Sequence, residues 1–393
     1  MSSSVIVAGA RTPIGKFRGA LSGLRAVDLG GTAIRAAIER SGVRPEQVDY
    51  TIMGHVIQAG AGQITSRQAA IAGGVPKETP ALTLNKVCLS GLSAIATADQ
   101  MIRAGEIEIA VAGGMESMTQ APYLLPRARE GARLGDVDLI DSMIRDGLWC
   151  AFEDQHMGGG TDVVSRELGV TRDDQDAWAA RSHHRAAAAW DSGAMAEEIV
   201  AVEVPDRKAE PVVLDRDEGI RRDTSAERLA RLKPAFTPDG TVTAGNASQI
   251  SDGAAAVVVT SREKADELGL RPLVEILAYG MSANGFASLH TVPAIAMQRA
   301  LKKAGLDVSD LALVEINEAF AAVSVYATRM LGLDPTIVNV NGGAVALGHP
   351  IGMSGARIVL SLAHEMRRRD VDVGGAAICG GGGQGDALII RRI

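Results

Sequence analysis

The sequence predicts an α/β protein assembled from two similar halves. Three observations carry that reading. Short β-branched runs alternate with longer stretches of helical period near both ends of the chain. The two ends share an order of parts: a glycine turn (CLSGL or GHPIGMSG), a helix, a strand (IEIAVAGG or GGAAICGGGG), then more glycines. Between them, residues 119–249 break the alternation and are rich in charge and proline.

In chain order, residues 4–8 (SVIVA) form a buried strand, and 27–40 form a helix that stops at Ser41-Gly42. A strand follows at 50–53. The helix at 92–103 ends before Gly105, and the strand at 108–112 runs into Gly113-Gly114. Strand, helix, strand in that order predicts parallel βαβ units. The C-terminal third has strands at 273–277, 313–316, 375–378 and 387–390. Its helices are expected at 293–304, with Pro in the first turn, and at 354–368. The middle stretch holds one clear helix, 173–190, capped by Thr171 and stopped by Gly193. The expected division is therefore 1–118 (continuing at about 250–270), an inserted loop domain 119–249, and 271–393. An insertion on a rigid scaffold is the expected place for binding or assembly contacts.

The chain has 393 residues, 45 of them Gly and 3 Cys. It is long enough to bury a core without staples, and three widely spaced cysteines make no disulfide framework. No Cys/His spacing fits zinc, so no metal is expected. A net charge of −7 argues against nucleic acid or an anionic membrane as partner. No apolar run reaches the roughly 18 residues of a membrane helix, and MSSSVIVAGARTPIG lacks the basic flank of a signal peptide. A cytoplasmic protein with working thiols is expected. Neither GxGxxG after the first strand nor a Walker pattern occurs, which counts against a nicotinamide dehydrogenase or an ATPase.

Several residues could carry chemistry. Cys88, in NKVCLSGL, precedes a helix whose dipole and free N–H groups favour a thiolate nucleophile; the alternative is a structural cysteine. Cys379, in AAICGGGGQG, lies where backbone N–H groups crowd, either as part of an oxyanion site or as a core strand residue. His349, in NVNGGAVALGHPIGMSG, is a natural base for a thiol. Asn317, in VEINEAFAA, reads more simply as a helix N-cap than as an active-site amide. His156 is a binding candidate, whereas Ser182-His183-His184 reads as a solvated helix face. Residues 221–233 hold five cations, either a phosphate site or a face of paired charges.

Taken together, these segments resemble the thiolase family of condensing enzymes. The resemblance runs from VIVAGARTPIGKF through NKVCLSGL, VAGGMESMTQAPY, EDQHMG, GTVTAGNAS, EINEAFAA and NVNGGAVALGHPIGMSGAR to CGGGGQG. It implies a five-layered α/β/α/β/α core of two βαβαβ-type halves, with a loop domain over a coenzyme A site. It implies Cys88 as the acylated nucleophile, His349 as its base, and Cys379 as the acid/base for the α-proton. Asn317 with His349 would serve one oxyanion hole, and the N–H groups of Cys88 and Gly381 the other.

Leu148, His156, Met157, Arg221, Ala244, Ser248, Ala319 and Phe320 fall at the family's coenzyme contacts. The implied activity is acetyl-CoA C-acetyltransferase, joining two acetyl-CoA into acetoacetyl-CoA and CoA, with no permanently bound cofactor. The alternatives are a degradative 3-ketoacyl-CoA thiolase of fatty-acid breakdown and, more remotely, a non-catalytic lipid-binding relative. FASLHTVPA stands where biosynthetic members carry a Met-Gly-rich acyl-pocket segment, which leaves chain length open. A homotetramer is expected, with 127–143 as the assembly loop. Cys150 has no role beyond packing.

Overall fold

The computed structural model describes residues 3–205 and 210–393. Five strands come from the first part of the sheet: β1 (Ser4–Arg11), β2 (Tyr50–Gly54), β3 (Ala81–Leu84), β4 (Ile109–Ser117) and β5 (Ser251–Ser261). Four follow later: β6 (Val274–Ala283), β7 (Leu313–Ile316), β8 (Val373–Gly380) and β9 (Gln384–Arg392). They run in the order β7-β8-β9-β6-β1-β5-β4-β2-β3, and the two-residue strand Gly15–Lys16 on β5 completes a ten-stranded sheet.

The duplication is visible in the pairing. β2·β4 is parallel while β4·β5 and β5·β1 are antiparallel. In the other half β7·β8 is parallel while β8·β9 and β9·β6 are antiparallel. The expected parallel βαβ units are thus only part of each half. β9 returns from β8 through the short Gly381–Gly383 turn, and a hairpin forces antiparallel pairing. Ser4–Ile6 pair with Val274–Ile276, so the halves meet edge to edge.

The helices are α1 (Ala26–Ser41), α2 (Thr65–Ala72), α3 (Ser90–Arg103), α4 (Met157–Glu167), α5 (Arg172–Asp191), α6 (Val292–Ala304), α7 (Ala321–Leu331) and α8 (Ser354–Arg369). α3 and α8 pack on each other and on strands of both halves, forming the middle layer. α1 covers the first half and α6 the second, which completes α/β/α/β/α. A helix packed against strands of both halves has little solvent face, and α3 (SGLSAIATADQMIR) is built largely of small and apolar residues, ten of its fourteen being buried. The expected stops hold: Gly42 and Gly305 take left-handed conformations after α1 and α6, and Thr171 with Asp174 forms a capping box on α5.

Three helices lack the expected signals. α2 begins after Ile64 in a left-handed conformation (φ 43°). α4 opens on Gly158-Gly159-Gly160, a poor helix former, and is started by the His156 ring accepting the Gly158 N–H (3.0 Å). α7 starts after Phe320, several residues beyond the helix start expected at Asn317.

The middle stretch is tied to the core by buried polar contacts. Arg11 on β1 donates to Glu198 (2.6 Å) and Asp217 (2.7 Å), all out of water. Glycines let the halves meet closely. A β-carbon on Gly54 or Gly91 would lie 2.8 or 3.0 Å from the Gly352 carbonyl oxygen, and one on Gly114 would overlap it. Gly114→Ala is therefore expected to destabilise by roughly 1–3 kcal/mol, as overpacking does. Gly23→Ala, where a β-carbon meets open space, should change stability by less than about 0.5 kcal/mol. Urea midpoints compare the two.

Candidate active site

Cys88, Asn317 and Cys379 follow or end strands that run parallel within their half, so their side chains gather at the carboxyl edge of the sheet. Between β3 and α3 the chain turns sharply, with Val87 left-handed (φ 50°). The Asn85 Oδ1 accepts the Val87 N–H (3.0 Å), and the Ser90 hydroxyl bridges Lys86 N (2.8 Å) and Val87 O (2.6 Å). Lys86 itself donates to Asp386 on β9 at 2.8 and 3.0 Å, and Ser93 donates to the same carboxylate (2.6 Å). The turn that carries Cys88 is thereby fastened to the second half.

His349 lies just after Gly348, whose φ of 113° and contacts with Ser251 and Ile14 leave no room for a side chain. Its N–H donates to the Gln249 carbonyl (3.1 Å). Its Nδ1 lies 2.6 Å from the Ser354 hydroxyl, which donates onward to the Pro350 carbonyl (2.9 Å). That hydroxyl hydrogen is used, so Nδ1 carries the ring proton and Nε2 keeps a lone pair. Nε2 faces the Asn317 amide nitrogen at 3.5 Å. The Asn317 oxygen is turned to Arg357 (3.4 Å), and Arg357 also donates to Glu315 (3.1 Å). Asn317 is therefore not a helix cap. Its amide is held by His349 and Arg357.

The site is dry. Burial pushes the Cys88 thiol up to about 12, and Glu116 adds to the rise; hydrogen bonds from its own N–H and from the Gly381 N–H oppose it. The expected pull toward a thiolate is present in those N–H groups, but desolvation outweighs it. Burial also raises Cys379, with the neighbouring Cys88 as second cause. Burial, helped by Arg357, lowers His349 to about 3. At rest the three groups are two thiols and a neutral imidazole.

A cavity of about 490 Å³ is lined by Leu148, His156, Arg221, Ala244, Ser248, Ala319, Phe320 and His349, while Cys88, Asn317 and Cys379 do not line it. Met118 and Ile351 line it too and belong to the apolar cluster on which Cys88 packs. Met157 does not line it. It is buried in an apolar cluster with Cys150 and Leu289, because its side chain points inward from the first turn of α4.

Residues 4–263 match the N-terminal thiolase domain and residues 270–392 the C-terminal thiolase domain. The chain belongs to the thiolase family. It is 55% identical to a probable acetyl-CoA acetyltransferase of Mycolicibacterium smegmatis, over 99% of this chain and 100% of that one. It is 51% identical to the acetyl-CoA acetyltransferase of Pseudomonas aeruginosa and 50% identical to that of Cupriavidus necator, each over 100% of both chains.

Sequence reasoning missed several residues of this thiolase. Lys16, Phe17 and Phe236 also line the cavity, with Phe236 stacked on His156 (centroids 4.5 Å). The other stacked pair, Phe152 with Phe286, lies beside Gly382. Glu318, next to Asn317, accepts from Trp178 (2.8 Å), Ser182 (2.7 Å), Asn339 (3.0 Å) and the Val345 N–H (3.0 Å). That network overturns the solvated reading for Ser182 and His183, while His184 is exposed. Ser182 and His183 are buried, and His183 Nδ1 accepts the Arg221 N–H (3.0 Å). The basic cluster divides: Arg221 lines the cavity, while Arg222 pairs with Asp191 and Arg228 with Asp223. An acid inside an otherwise apolar run, as in AVAGGMES and LVEINEAF, was the available signal for Glu116 and Glu318.

Burial lowers His183 and His290 to about 4, as it lowers His349 to about 3. Each binds a proton more readily when unfolded, so stability rises with pH between about 3–4 and the ordinary value of 6.5, and is lost as pH falls through that window. His290, bonded to the Ser165 hydroxyl (2.9 Å), is the cleanest test. In His290→Asn the fall in urea midpoint from pH 6.5 to pH 4.5 is expected to be shallower than in the parent. An equal slope would remove His290 from the account.

Proposed function

We propose that this thiolase is an acetyl-CoA C-acetyltransferase that condenses two acetyl-CoA into acetoacetyl-CoA and CoA, reversibly, through an acetyl group on Cys88. The observation that carries the reading is a neutral His349 on the cavity wall, with a partly buried Cys88 packed against Ile351 of that wall and a buried Cys379 beside Cys88. The names of the full-length relatives support it. In the forward direction the Nε2 of His349 takes the Cys88 proton as sulfur attacks the first thioester. Cys379 gives its proton to the departing CoA sulfur. The resulting Cys379 thiolate removes a proton from the methyl carbon of the second acetyl-CoA, and the enolate attacks acetyl-Cys88. Cys88 leaves as thiolate and recovers its proton from His349, so the enzyme returns unchanged.

Negative charge develops in two places. The N–H groups of Cys88 and Gly381, already aimed at the Cys88 sulfur, serve the tetrahedral adduct. His349 and Asn317 serve the enolate. Reacting groups that are neutral at rest suit this sequence, because each proton moves only as a bond forms or breaks. The segment 119–249 acts as the loop domain over coenzyme A, supported by its contribution of Leu148, His156, Arg221, Phe236, Ala244 and Ser248 to the cavity wall. The substrates are the only coenzyme the reaction needs, and the cytoplasmic setting fits three free cysteines.

Cys88→Ala is expected to abolish condensation and thiolysis, while Cys379→Ala still takes up an acetyl group on Cys88, visible as a mass adduct, but does not condense. Near-normal condensation by Cys379→Ala would remove its role as base. Rates with acetoacetyl-CoA against a C8 3-ketoacyl-CoA decide the substrate, and preference for C8 would make the protein a degradative thiolase instead.

We also propose a homotetramer assembled through 127–143. Exposed apolar side chains at Leu134, Val137 and Leu139, with Tyr123 nearby in sequence, support it. Light scattering should give four times the 40.9 kDa chain mass, and Leu134→Glu with Leu139→Glu should give a smaller species. A parent that is already a dimer would sink the proposal.

A further inference from the structure

Glu116, at the carboxyl end of β4, is fully buried and has no part in the proton transfers above. Its carboxylate gathers donors from two separate segments. Oε2 accepts the Val56 N–H (3.1 Å) and Oε1 the Ile57 N–H (3.2 Å), both just past β2. Oε2 also accepts the Gly352 N–H (3.1 Å), from the turn that follows His349. Oε1 lies 3.3 Å from His55 Nε2, and the other nitrogen of that ring is bonded to Thr65 (2.9 Å). The same segments make the wall behind Cys88, which packs against the cluster of Val56, Ile57, Met118 and Ile351. The turn held at Gly352 also contains Ser354, the partner of His349 Nδ1. One carboxylate thus fixes the backing of the nucleophile and the turn of its base.

We propose that Glu116 is a positioning residue of this active site, its carboxylate holding the turn that carries His349 against the backbone behind Cys88. The inference rests on the acyl-transfer reading of the site. It also has an electrostatic side, because the carboxylate opposes a second negative charge on Cys88. The titratable groups around it are His55 beyond β2, Asp252 on β5 and Cys88 itself, with Cys379 on the far side of Cys88. Glu116 therefore favours the Cys88 thiol over a standing thiolate and leaves deprotonation to His349.

Glu116→Gln separates this from a packing role. Its amide keeps the shape, loses the charge and offers N–H where backbone N–H groups need an acceptor. In the full-length variant, kcat for thiolysis of acetoacetyl-CoA is expected to fall about 10- to 100-fold, with KM changed less than about threefold, as for groups that orient a reacting residue. Alkylation of Cys88 by iodoacetamide, followed on the Cys88 peptide by mass spectrometry, should move toward lower pH by about one unit, because a like charge has gone. An unmoved alkylation profile together with kcat within twofold of the parent overturns the proposal.

Should the Gln variant fail to fold, Glu116→Asp decides. It keeps the charge but shortens the reach, so the alkylation profile should stay while kcat falls, and full kcat there overturns the proposal as well. Failure of the acyl-transfer reading would show separately, as no acetyl adduct on Cys88 in the parent, while the alkylation profile still reports on Glu116.

Discussion

Desolvation governs this site, because the groups proposed to react and those that hold them are mostly out of water. A buried carboxylate is costly unless every oxygen finds donors, and the fold meets that need in a recurring way. Glu116 collects three backbone N–H groups, and Glu318 collects an indole, a hydroxyl, an amide and a backbone N–H. Asp162 does the same for Thr237, Thr241 and Val242. In each case the acid reaches donors far from it in sequence. The acids therefore act as knots where segments cross: Glu116 ties the turn after His349 to the segment behind Cys88, and Glu318 ties the residues beside Asn317 to α5.

The same dryness sets the protonation of the reacting groups. A helix N-terminus and two N–H groups pull Cys88 toward thiolate, and burial pulls harder the other way. His349 is kept neutral by burial and by Arg357, with its basic nitrogen defined by the Ser354–Pro350 chain. Burial also raises Glu315, to about 8, against the opposing pull of Arg357. A pocket that discourages standing charge leaves its N–H donors free for oxygen atoms that become negative only during reaction.

Much of this was legible in the sequence. The alternation of strands and helices, the duplicated order of parts, and the stops at Gly42, Gly193 and Gly305 all depend on local chemistry, which a single chain displays. Cys88, His349 and Cys379 stood out because reactive residue types were set among glycines. Asn317 was harder: Asn before a helical stretch looks like a cap, and only the late start of α7 and the positions of Arg357 and His349 reveal another use. Ser182 and His183 misled for a related reason. Polar residues on a helix imply a wet face unless a buried acid such as Glu318 waits opposite, and that partner is 136 residues away. The protonation of Cys88 was out of reach as well, since local sequence shows the helix dipole but not how much protein lies overhead.

The pairing of the first strand has a consequence for how the molecule is made. β1 sits at the junction of the two halves, bonded on one side to β5 and on the other to β6. Both partners lie about 250 residues downstream, so a growing chain exposes an apolar first strand long before either neighbour has left the ribosome. At synthesis rates of about 5–20 residues per second that interval is roughly 10–50 s, longer than most folding steps. The centre of the sheet is therefore among the last parts that can close, and the unpaired SVIVAGAR segment is a natural binding point for a chaperone while the remainder is still being translated.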